Sequence, residues 1–231
     1  MKKSFFTSST GIILAGAIIG ALAAFLSVKG NPANMGICIA CFTRDLAGAL
    51  GLHRAAAVQY IRPEIIGIVI GATISSVLSK EFVPKGGSSP AIRFFLGFFA
   101  MIGALVFLGC PWRTLLRIAG GDINGIFGLI GIIIGGGIGV FFWKQNYSLG
   151  ASKNYNNKFV GLLPIIISLI LLVLLLSKIK FSENGAIFFS ESGPGNMKAP
   201  IIISLIVSII IGFIAQKSRF CTVGGVRDGI F

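Results

Sequence analysis

The groups in this 231-residue chain that could do chemistry are four cysteines and the charges spaced from them. Cys38-Ile-Ala-Cys41-Phe-Thr-Arg44-Asp45 and Cys221-Thr-Val-Gly-Gly-Val-Arg227-Asp228 share one spacing: a Cys, five residues, then Arg-Asp. Cys110 stands in Phe107-Leu-Gly-Cys-Pro-Trp-Arg113. Pro111 fits the first position of a short helix, which puts Cys110 at its N-cap, where free N–H groups and the positive end of the helix dipole favour an anion. Arg113 and Arg117, four apart, either add charge to the same space or extend to the membrane interface. Cys38 and Cys41 are three apart and can meet on one helical turn, which also admits a thiol oxidoreductase. Zinc would need two further ligands, and His53 is the only histidine, so no metal and no cofactor is expected. His53 reads as a partner for the C-terminal end of a short helix. The Arg-Asp pairs are expected to lock short helices to their neighbours, because charge at membrane depth is costly unless paired.

The elements that must position these groups follow from composition. Hydrophobic residues are 55% and charged residues 12%, against about 25% charged in ordinary soluble domains. Twenty Lys+Arg against seven Asp+Glu give +13, and these charges sit in short gaps between long uncharged apolar runs. That is a polytopic membrane protein with basic loops, and a nucleic-acid partner is not expected. Six uncharged segments stand out: Gly11 to Val28, Ile65 to Ser79, Phe94 to Trp112, Ile123 to Trp143, Phe159 to Ser177 and Ala199 to Gln216. Spanning takes about 20 apolar residues, and the second segment reaches that range if its first turn includes Pro63 and Glu64. Met1-Lys2-Lys3 ahead of the first run resembles a signal peptide, but the run is too long for one and further spans follow. The 32 glycines, many inside the apolar runs, predict an all-α bundle of closely packed helices.

Two stretches fit neither a span nor a loop. Asn34 to Leu52 and Cys110 to Ala119 read as short re-entrant helices, which persist at membrane depth only when buried in protein or lining a cavity. Lys144 to Lys158 is a polar connector. The shared Cys-x5-Arg-Asp follows span one in the first case and span six in the second, so the two copies cross in opposite senses. This predicts an inverted repeat: residues 1–143 form the first repeat, 144–198 a connector with one span and a loop, and 199–231 the start of the second. The 183-residue offset puts a counterpart of Cys110 near position 293, so either the chain is a fragment of a longer protein, the favoured expectation, or a second polypeptide supplies the rest. Outside the Arg-Asp pairs no carboxylate is expected to carry protons, since Glu64 and Glu81 lie at span ends and Asp122 follows a Gly-Gly turn.

Met35-Gly-Ile-Cys-Ile-Ala-Cys-Phe-Thr-Arg-Asp45, the Gly109-Cys-Pro motif with Gly120-Gly-Asp122, and Arg219-Phe-Cys-Thr-Val-Gly-Gly-Val-Arg-Asp228 resemble the YeeE/YedE membrane proteins. Asn34 through His53-Arg54 and Gln59-Tyr-Ile-Arg-Pro-Glu64 look more like the selenium-metabolism YedE branch. The resemblance implies an inner-membrane importer of a small sulfur- or selenium-containing species such as a thiosulfate-like anion. Cys38, Cys110, Cys221 and Cys41 would then contact substrate, with Arg44, Asp45, Arg113, Arg227 and Asp228 as supporting charges. A cytoplasmic sulfur- or selenium-carrier protein is a candidate partner beside the lipid bilayer. Such an anion is soft at its terminal S or Se, and thiols suit that end at little cost inside a membrane. A membrane thiol oxidoreductase or sulfur carrier is the alternative.

Overall fold

The computed structural model describes residues 6, 8–86, 89–151, 153–154, 158–177 and 187–230. Lys2 and Lys3, and positions 152 and 155–157 of the polar connector, lie outside the described residues. The described chain is helical: α1 Ser9–Val28, α2 Ile39–Ala49, α3 Pro63–Leu78, α4 Pro90–Val106, α5 Pro111–Ala119, α6 Asn124–Lys144, α7 Lys158–Leu176, α8 Ile201–Ser218 and α9 Thr222–Ile230. Two-residue strands β1 (Lys85–Gly86) and β2 (Lys153–Asn154) pair antiparallel. Six stretches are long and apolar enough to cross a membrane, and they match the six uncharged runs of the sequence.

Local chemistry sets the helix ends. The Ser8 hydroxyl caps α1 by accepting from Gly11 N–H at 3.1 Å. Pro63 opens α3, so the second span does take in Pro63 and Glu64. The third apolar run is not one helix. Its chain turns at Leu108, a non-glycine residue at φ 57°, and restarts at Pro111 as α5. Gly109 N–H donates to the Ala104 carbonyl at 2.8 Å, which closes α4 with the usual left-handed cap.

Packing divides the chain into two units, Met1–Phe82 with Leu163–Phe220, and Val83–Leu162 with Cys221–Phe231. This division cuts across the repeats read from the sequence. In the first unit α3 lies along α8. Lipid supplies no hydrophobic drive for helix pairing, so close van der Waals contact must, and small residues permit it. A Cβ on Gly71 would strike the Ile209 carbonyl, one on Gly67 would strike Ser208, and one on Gly212 would strike the Ile68 carbonyl. Beside this crossing Tyr60, Ile61 and Ile66 bury against Leu171, Leu175 and Ile187.

In the second unit α6 packs against α5 and α9, with Phe107 filling the space beside Gly128. Helix α4 buries none of its residues, and Phe94, Phe95, Phe98 and Phe99 are exposed, as a lipid-facing helix requires.

Gly71→Leu is expected to destabilise the chain by about 1–3 kcal/mol through overpacking of the α3–α8 contact. Gly97→Leu, where a side chain meets open space, should change stability by no more than about 0.5 kcal/mol. Unfolding titrations in detergent compare the two.

Candidate functional site: cysteines at the heads of short helices

In the first unit, residues 35–38 form buried non-helical backbone leading into α2. Gly36 lies so close to α1 that a Cβ there would collide with the Ala23 carbonyl. Cys38 is the N-cap of α2, and its Sγ accepts the Cys41 backbone N–H at 3.4 Å. Its carbonyl accepts from Phe42 at 2.9 Å. Cys38, Cys41 and Asp45, spaced three and four apart, all fall on the buried face. The helix head thus directs N–H donors and a positive dipole end at a pair of thiols, an arrangement that favours negative charge.

Asp45 fixes the other end of that face. Its Oδ1 accepts from Arg44 Nη2 at 2.7 Å and Nε at 3.1 Å. Its Oδ2 accepts from Arg62 Nε at 2.9 Å, with Nη2 at 2.8 Å. Adjacent residues on a helix do not face each other, but the long Arg44 side chain folds back to make the Arg44-Asp45 pair internal. Arg62 is the member the sequence reading missed. It is 0% exposed, donates from Nη1 to the Met197 carbonyl at 3.0 Å and from Nη2 to the Pro194 carbonyl at 2.7 Å, and stacks on Phe42 and Tyr60 at 4.6 and 5.2 Å. The available signal was Arg62-Pro63-Glu64, opposite charges on either side of a proline at the head of a span. Glu64, at the head of the span as expected, is also buried.

His53 completes this unit's site. Ala55 N–H donates to Nδ1 at 3.2 Å, so Nε2 carries the proton and donates to the Arg44 carbonyl at 3.0 Å. It ties the loop after α2 to the carbonyl of Arg44, in the middle of that helix and not at its C-terminal end.

In the second unit Cys110 is the buried N-cap of α5, ahead of Pro111, and its carbonyl accepts from Thr114 N–H at 2.9 Å. Arg117 is tied to groups of its own unit. Its Nη1 donates to the Phe107 carbonyl at 2.7 Å and its Nε to Asp122 Oδ2 at 2.6 Å, which braces the turn that carries Cys110. Arg117 holds the Asp122 carboxyl below its usual 3.8. This brace is therefore intact at neutral pH and loosens only as pH falls through that lowered value.

Cys221 is exposed and precedes α9, and its Sγ accepts from Gly224 N–H at 3.3 Å, the same capping contact that Cys38 makes. It lines a cavity of about 730 Å³ with Arg227, Trp143, Gly136 and Ala100. Arg227 bonds Asp228 at 2.6 Å, again an internal pair, here exposed. A second cavity of about 560 Å³ is lined by Gly109, Pro111, Thr114, Phe107 and Gly128. Arg113 lies on α5, half-buried.

Residues 1–110 match the family model described as sulphur transport. The match bears out the YeeE/YedE resemblance over those residues, and the six candidate spans suit a multi-pass membrane protein. Cys38, Cys41, Arg44, Asp45, Arg62 and Cys110 lie inside the sulphur-transport region; Arg113, Cys221, Arg227 and Asp228 lie beyond it. No curated protein and no solved structure matches the chain.

Asp45→Leu leaves Arg62 buried without its carboxylate and is expected to cost about 3–5 kcal/mol. Asp228→Leu, at an exposed pair, should cost no more than about 1 kcal/mol. Denaturant midpoints of the two variants in detergent check this contrast.

Proposed function

We propose that the chain imports a small thiosulfate-like anion, containing sulfur or selenium, across the inner membrane, with Cys38, Cys41, Cys110 and Cys221 as successive weak contacts. The observation that carries this reading is the recurrence of one device. Cys38, Cys110 and Cys221 each stand at the N-terminal end of a short helix, in a chain whose first 110 residues match a sulphur-transport family. A thiol there meets the polarisable sulfur or selenium end of the anion, and N–H donors with the dipole meet its oxygens. Each contact is weak, so the anion can leave, as conduction through several sites requires.

Arg44, Asp45, Arg113, Arg227 and Asp228 hold the helices and set the local charge in this scheme. The Cys-x5-Arg-Asp spacing is read as an inverted repeat, and a cytoplasmic sulfur- or selenium-carrier protein would take the product. A second reading draws on the Cys41 N–H to Cys38 Sγ contact, which is also how a dithiol enzyme would hold a reactive sulfur. In that case Cys38 and Cys41 would exchange sulfur covalently.

Reconstituted vesicles containing the chain should take up radiolabelled thiosulfate. Cys38→Ala and Cys110→Ala are each expected to lower uptake about tenfold or more, the loss of one contact to a charged group. Uptake unchanged in both variants would contradict the thiol pathway, and competition by selenium analogues ranks the substrates.

A further inference from the structure

Among the described residues two acidic side chains lie buried inside the first unit, and they are held in opposite ways. Asp45 has both oxygens occupied by guanidinium groups. Glu64, 1% exposed in the first turn of α3, receives only neutral donors. Its Oε1 accepts from Asn31 Nδ2 at 2.7 Å and from Ser204 Oγ at 3.0 Å. Its Oε2 is buried and has no hydrogen-bond partner, and Glu64 enters no ion pair, among the described residues. A buried carboxylate with one oxygen unsatisfied is costly as an anion. A proton on Oε2 removes the charge and leaves both bonds to Oε1 in place.

The surroundings connect this group to the thiols. Asn31 Nδ2 also donates to the Gly36 carbonyl at 3.2 Å, two residues before Cys38, and its Oδ1 accepts from Ala199 N–H at 2.9 Å. Glu64 thus joins the segment that ends at Cys38, the head of α3 and the head of α8. Arg62 and Tyr60 precede it in the chain, Asp45 of α2 is paired with Arg62, and Lys198, before α8, lies 4.9 Å over the Tyr60 ring. The contacts from the α1–α2 link and from α8 are the neutral Asn31 and Ser204.

We propose that Glu64 is the proton-binding site of the transport cycle. Oε2 takes up one proton to form the neutral acid in one state and releases that proton in the other, so that a proton moves with the anion. Charge appearing on Glu64 tightens its hold on Asn31 and thereby bears on the Gly36–Cys38 segment. This inference rests on the transport reading.

In vesicles with an imposed proton gradient, acidic outside, the chain should accumulate labelled thiosulfate. Glu64→Gln keeps the Oε1 acceptor but carries no exchangeable proton; it should lose accumulation and retain thiosulfate exchange at equal pH. Ser204→Ala removes one of the two donors to Oε1 and should change the pH dependence of accumulation while leaving exchange at equal pH in place. A Glu64→Gln chain that still accumulates substrate, or that loses exchange as well, overturns the proposal, and so does an unchanged pH dependence in Ser204→Ala. An unmodified chain that moves no thiosulfate under any gradient overturns the transport reading itself.

Discussion

Backbone that leaves helical geometry within an apolar surround must find partners in protein, because lipid offers none. In the first unit that condition is met around one guanidinium. Arg62 joins the Asp45 carboxylate of α2 to the carbonyls of Met197 and Pro194, with its faces covered by Phe42 and Tyr60. Residues 187–199 are pinned alongside: Phe188 N–H donates to Ala49, Ser190 N–H to Gln59 and Gly195 N–H to Ala57, each at 2.8 Å. Without a fixed cation at that point, neither the short helix nor the irregular segment beside it would have its polar groups satisfied. The position of Cys38 and Cys41 depends on this anchor through α2.

A related economy governs the other two cysteines. Leu108-Gly109-Cys110 and Arg219-Phe220-Cys221 are the same turn: a long helix ends on a residue in the left-handed region, one residue follows, and then a cysteine opens a short helix. Leu108 and Arg219 have φ of 57° and 54°, a conformation that costs a side-chain-bearing residue about 1–2 kcal/mol. The strain is offset by the cap bonds it permits, Gly109 to Ala104 and Phe220 to Ala215. The result is a thiol beside a helix N-terminus, reached without a long loop.

The spans and the two short helices were legible because length, charge distribution and proline placement act locally: Pro63 and Pro111 mark helix starts in the sequence and in the structure alike. The Cys110 N-cap could be read for the same reason. The partners of the charges could not. Arg62 lies seventeen positions from Asp45, and its other ligands are carbonyls more than 130 positions away, which no side-chain pattern records. Asn31 and Ser204 are ordinary residues until folding brings them to Glu64. The bonding of Arg117 was not legible because its acceptors are a backbone carbonyl and an aspartate across a Gly-Gly turn.

The central claim is that the thiols guide an anion and leave its bonds intact. Thiosulfate labelled with different isotopes at its outer and inner sulfur tests this directly when supplied to vesicles containing the chain. The account predicts that both labels reach the interior in equal amounts and that no cysteine is modified. If a thiolate instead attacks the outer sulfur, the S–S bond breaks, sulfite leaves and the outer label stays as a persulfide. Outer label bound at Cys38 or Cys41, with the inner label released as sulfite, would contradict the account.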